Sequence, residues 1–99
     1  DRVVHVEEEH LRVLREILRS RVPEGEVWAF GSRVAGTHSS FSDLDLLLCL
    51  PRPLSLEERG LLRQALSESP LPFRVDVVEE RDLDPAFLAS LKRTTKRIV

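Results

Sequence analysis

The sequence predicts an α/β-type layered domain, and three observations predict it. Helical and strand-like segments interleave along the chain, which favours layers of helix against sheet. The most apolar run, residues 43–50, is strand-length and closed by Pro51 and Pro53. The 99 residues make one domain around one modest core and leave no room for two. The expected order is helix, strand, turn, strand, helix, strand, helix, with no internal repeat and no low-complexity segment.

Residues 7–22 read as a helix because Leu11, Leu14, Leu18 and Val22 recur at three- and four-residue steps. Glu7 to Glu9 suit the positive end of its dipole, and Pro23 and Gly25 stop it. Residues 26–31, EVWAFG, form a short β-prone run ending on glycine. Ser32 to Gly36 make one helical turn, and Thr37 to Ser42 a polar loop. In the second strand, 43–50, alternation puts Leu44, Leu46, Leu48 and Leu50 on one side, with Leu47 and Cys49 following Asp43 and Asp45 on the other. The next helix, about 56–67, opens on Ser55 and Glu58 at capping-box spacing, and Leu61, Leu62, Ala65 and Leu66 supply its apolar side. The third strand, 73–79, sets Phe73, Val75 and Val77 against Arg74, Asp76 and Val78. The last helix starts near Pro85 with Asp84 as N-cap, and Phe87, Leu88 and Leu91 are expected to pack it down.

A 41% hydrophobic and 32% charged composition is that of a globular chain rather than a disordered one. The net charge of −2 argues against a surface built for nucleic-acid backbone. One basic cluster, Lys92, Arg93, Lys96 and Arg97, is read as favouring the negative end of a terminal helix. No apolar run approaches a membrane span and no signal-like segment is present. The single cysteine, Cys49, is expected to be a small core residue in a reducing compartment, hence a cytoplasmic protein. The absence of methionine points to a processed or trimmed start.

The chemistry concentrates in FGSRVAGTHSSFSDLDLLLCL, residues 30–50. Residues two apart on a strand share a face with Cα atoms about 6.6–6.8 Å apart, so Asp43 and Asp45 point the same way. Two carboxylates so placed can hold one or two hard cations such as Mg²⁺. The cation would also neutralise charges that are costly at the edge of a core. Gly31 lets backbone approach a ligand closely, helix-start N–H groups attract phosphate, and the Ser32 hydroxyl and Arg33 can add contacts to the same phosphate. Asp76, on the next strand, can complete a metal site or take a proton from an attacking hydroxyl. Each piece alone is commonplace. Together, Gly-Ser, ten residues and Asp-x-Asp arise by chance in roughly one chain in a thousand of this length.

This combination resembles the signature of the nucleotidyltransferases of the DNA polymerase β superfamily. The order of elements extends the likeness over nearly the whole chain, to the family's minimal members. The resemblance implies a small mixed β-sheet flanked by helices in a single domain, 1–99. Gly31, Ser32 and Arg33 would grip the phosphates of ATP or another nucleoside triphosphate. Asp43, Asp45 and Asp76 would be the catalytic carboxylates and the ligands of two Mg²⁺ ions. Many relatives carry a basic residue just before the next glycine, where this chain has Ala35. Arg33 or an arginine from elsewhere would then have to supply that contact.

With no acceptor-binding domain, the acceptor would dock on an open cleft or come with a partner chain. Minimal members are often paired with a HEPN-domain toxin, whose tyrosine can receive AMP from the antitoxin. This chain has no tyrosine, so a tyrosine acceptor would lie on another protein. The expected partners are thus a nucleoside triphosphate and a HEPN protein, in a homo- or hetero-oligomer, without nucleic acid or membrane. Two alternatives are a module that neutralises its partner by contact alone and a small-molecule transferase of aminoglycoside type. Of the remaining residues, His38 is read as a solvated loop histidine, His5 and His10 as lacking metal-ligand company, and Trp28 as core.

Overall fold

The computed structural model describes residues 4–22, 24–36 and 42–99. Pro23 and most of the 37–42 loop, His38 included, lie outside them. The elements run α1 (Glu8–Arg21), β1 (Glu26–Phe30), α2 (Ser32–Ala35), β2 (Leu44–Cys49), α3 (Leu56–Ser67), β3 (Val75–Glu79), α4 (Pro85–Lys92) and β4 (Lys96–Arg97), with a short 3₁₀ turn at Glu80–Asp82.

The four strands form one mixed sheet in the order β3-β2-β1-β4. β1 is antiparallel to both β2 and β4, whereas β2 and β3 are parallel. Parallel neighbours require a crossover, and α3 provides it. Its N-terminus is a full capping box: Ser55 accepts from the Glu58 N–H and Glu58 accepts from the Ser55 N–H. Arg52 holds the same carboxylate at 3.0 Å, and these contacts draw the Glu58 carboxyl down to about 2.

The core lies on one side of the sheet. Leu14, Leu18 and Val22 from α1 and Leu62 and Leu66 from α3 pack on Val27 and Ala29 of β1 and Leu44, Leu46 and Leu48 of β2. The predicted β2 row is therefore inward, and burying each leucine contributes about 1.5–3 kcal/mol. Registers Phe30↔Asp45↔Asp76 and Trp28↔Leu47↔Val78 define the other face of the sheet.

Four expectations need correction. The basic cluster does not end a terminal helix as a unit: Lys92 closes α4, while Lys96 and Arg97 form β4 at the sheet edge. Arg97 pairs across to Glu26 at 3.8 Å, and Ile98, just beyond, enters the core. The expected packing of α4 is weaker than its sequence suggests, for none of its residues is buried and Phe87 is half exposed. Its cap is as expected, with Asp84 accepting from the N–H groups of Ala86 and Phe87. Cys49 is only half buried and lines a groove of about 460 Å³ with Trp28, Leu47, Glu80 and Lys92, rather than joining the helix-side core. Burial and a hydrogen bond to Glu80 push its thiol up to about 12. Trp28 is likewise half buried, and its indole N–H donates to Glu26 at 3.1 Å. Among the described residues, no helix is long and apolar enough to cross a membrane.

Candidate active site

The β1–α2 turn and the start of β2 meet because β1 and β2 are antiparallel neighbours. Phe30, the last residue of β1, pairs with Asp45. The next residue, Gly31, has φ +82°, a conformation L side chains rarely adopt. A Cβ at this position would collide with Oδ2 of Asp45. Glycine is thus required twice over: by the turn, and by the carboxylate lying against it.

Asp45 also faces Asp76, its Cα partner on the parallel strand β3. Asp43 is exposed just before β2. The fold therefore brings Gly31, Asp45 and Asp76 side by side, with Asp43 one alternation away on the Asp45 row. The Asp45 carboxyl is raised above its ordinary value, first by burial and then by the charges of Asp76 and Asp43. Asp76 finds a partial counter-charge in Arg74 Nε at 3.2 Å, although both side chains stay substantially exposed. These carboxylates are hard oxygen donors of the kind that could hold a cation such as Mg²⁺. A groove of about 560 Å³ beside β3 carries Asp76 and Arg74 in its lining, with Arg63, Ser67 and Phe73.

Ser32 opens α2, a four-residue helix closed by Gly36 in the left-handed conformation. Arg33 is placed differently from the sequence expectation. It is only 6% exposed, its Nε donates to the Ser42 carbonyl at 3.0 Å, and its Nη1 donates to the His5 carbonyl at 3.0 Å. Its guanidinium lies 4.3 Å from the centroid of the Phe73 ring. A guanidinium so engaged is held inside the fold rather than extended toward a phosphate. Sequence reasoning missed Phe73 as part of this arrangement, because it read only as one more apolar strand residue. It also missed the company of His10. Among the described residues, Glu7, Glu9 and His10 bring one ligand atom each within 4.8 Å of the others at the exposed start of α1.

Comparison with known proteins bears on the family and the fold. Residues 11–98 match the family described as the nucleotidyltransferase domain. A curated relative from Haemophilus influenzae, the probable protein adenylyltransferase MntA, is 45% identical over 74 residues, covering 75% of this chain. The match spans about 65% of that relative's length. A solved protein described as a minimal nucleotidyltransferase is 35% identical with a TM-score of 0.71, covering 95% of this chain and 98% of that one. A toxin–antitoxin structure with AMP-PNP is 26% identical with a TM-score of 0.73, covering 90% of this chain and 72% of that one. With residues 11–98 matching its model, this chain belongs to the nucleotidyltransferase domain family.

Proposed function

We propose that the chain transfers AMP from ATP to a hydroxyl on a partner protein, acting as the antitoxin of a pair whose toxin is of HEPN type. The observation that carries this reading is the contact of Gly31 with the Asp45 carboxylate, with Asp76 in register beyond it. One turn and two strands then serve phosphate and carboxylate chemistry together. The MntA relative, and the toxin–antitoxin neighbour with AMP-PNP, support an adenine nucleotide and a toxin as partner.

Gly31 and Ser32 hold the outer phosphates of the triphosphate, Gly31 by backbone and Ser32 by its hydroxyl. Asp43, Asp45 and Asp76 are the groups that would hold Mg²⁺, which when bound neutralises charge at the entering and leaving oxygens. The acceptor oxygen attacks the α-phosphorus in line, the bond to the β-phosphate oxygen breaks, and pyrophosphate leaves. Asp76 takes the acceptor's proton. Positioning and charge neutralisation therefore carry the catalysis. The acceptor proposed is a tyrosine, which has to lie on the partner because this chain has none.

Incubation with Mg²⁺–ATP and the protein encoded beside it should add the mass of one or more AMP groups to that partner, and Asp43→Asn should abolish the gain. A tight complex with no mass gain would support the second reading, neutralisation by contact alone. One observation favours that second reading: Arg33 is turned inward and position 35 is alanine, so α2 offers the triphosphate no guanidinium.

A further inference from the structure

We infer that Arg33 is a positioning residue that sets Asp43 and β3 against the Gly31–Ser32 turn, and not a ligand of the nucleotide. The inference rests on the nucleotidyltransferase reading above and deepens it. Arg33 lies one residue beyond Ser32, and its Nε donates to the carbonyl of Ser42, the residue covalently joined to Asp43. The same guanidinium stacks on Phe73, three residues before Asp76. One side chain thus touches the chain at the start of both carboxylate-bearing strands while its own backbone belongs to the phosphate-side turn. Contacts to His5 anchor it. Its Nη1 donates to the His5 carbonyl at 3.0 Å, and its own carbonyl accepts the His5 N–H at 2.7 Å. Phe73 in turn meets the His10 ring edge-on, with centroids 6.1 Å apart, so the far side of the stack leans on α1.

The residue type follows from the task. A buried cation needs its donors matched, and here they go to carbonyl oxygens on two separate segments. A planar guanidinium can donate from separate nitrogens in its plane while an aromatic ring covers its face. Lysine, a point charge on a flexible stem, cannot hold both directions at once. Arg33 would therefore act on metal binding through the position of Asp43, and leave the phosphate contacts unchanged.

The decisive measurement is Mn²⁺ binding followed by electron paramagnetic resonance, with AMP-PNP affinity measured alongside at saturating Mn²⁺. Arg33→Lys and Phe73→Leu should each weaken Mn²⁺ binding about tenfold and leave AMP-PNP affinity within about twofold of wild type. Phe73→Tyr, which keeps the ring, should retain wild-type Mn²⁺ affinity. In the transfer assay, the two weakened variants should need more Mg²⁺ for half-maximal rate and recover at high Mg²⁺. Loss of AMP-PNP affinity with Mn²⁺ binding intact would make Arg33 a phosphate ligand and overturn the inference. Unchanged Mn²⁺ binding in folded variants, or a wild type that binds no Mn²⁺, would overturn it too. If Arg33→Lys does not fold, the two Phe73 variants decide. Because Mn²⁺ binding requires no turnover, a wild type that binds the ion in an Arg33-dependent way but transfers no AMP would refute only the proposed function.

Discussion

Asp45 lies against Gly31 on one side and beside Asp76 on the other, and burial and then the neighbouring carboxylates oppose its ionisation. An acid whose pKa rises on folding stabilises the fold below its unfolded value, here 3.8, and loses that contribution as pH rises through the folded value. At neutral pH the ionised Asp45 is therefore a cost to the metal-free protein. Asp45→Asn should melt higher than wild type at pH 7 without divalent ions, with the difference shrinking as pH falls into the carboxylate range. Added Mg²⁺ should raise the melting temperature of wild type and leave that of the variant nearly unchanged. Gly31→Ala meets both a positive φ and the Asp45 carboxylate, and should cost about 1–3 kcal/mol in urea unfolding while cutting transfer about tenfold or more. Cys49, with its thiol pushed up to about 12, should react with iodoacetamide at pH 8 far more slowly than a free thiol.

Among the elements, β3 and α3 are joined by more than apolar packing. Glu79, at the end of β3, is buried, pairs with Arg59 of α3 and accepts the Leu54 N–H at 3.3 Å. Glu79→Ala strips the Leu54 N–H of its acceptor, leaves Arg59 only the 3.6 Å pair with Asp82, and should cost about 3 kcal/mol by chemical denaturation. α4 gives the opposite case: Phe87→Ser should change stability by no more than about 0.5 kcal/mol, because the ring is half exposed. Periodicity located α1, and the capping box located α3 residue for residue, because both signals are local. β4 was not legible, since two charged residues carry no alternation and their strand exists only through pairing with β1. Lysine and arginine suit such an edge, where they discourage further strand pairing. The slack packing of α4 was not legible either, because its apolar residues read the same whether or not a surface meets them.

Across the whole molecule, a one-sided core leaves the far face of the sheet to carry Asp45 and Asp76, with the glycine turn at its lip. The candidate site was legible to the extent that it is written in glycine, serine and aspartate at fixed spacing, residue types whose roles follow from backbone freedom and charge. Arg33 was not, because nothing in Gly-Ser-Arg says whether the guanidinium turns outward to a phosphate or inward to the Ser42 carbonyl. Only the fold, by bringing Ser42 and Phe73 together around it, decides that. On the function proposed, the three aspartates and the Gly31–Ser32 turn form a single metal-dependent nucleotide site. Calorimetric titration of AMP-PNP into the protein, with and without Mg²⁺ and against Asp45→Asn, tests it most directly. Wild type should bind saturably only when Mg²⁺ is present, and the variant should not bind. Equal binding without Mg²⁺, or undiminished binding by Asp45→Asn, would contradict it.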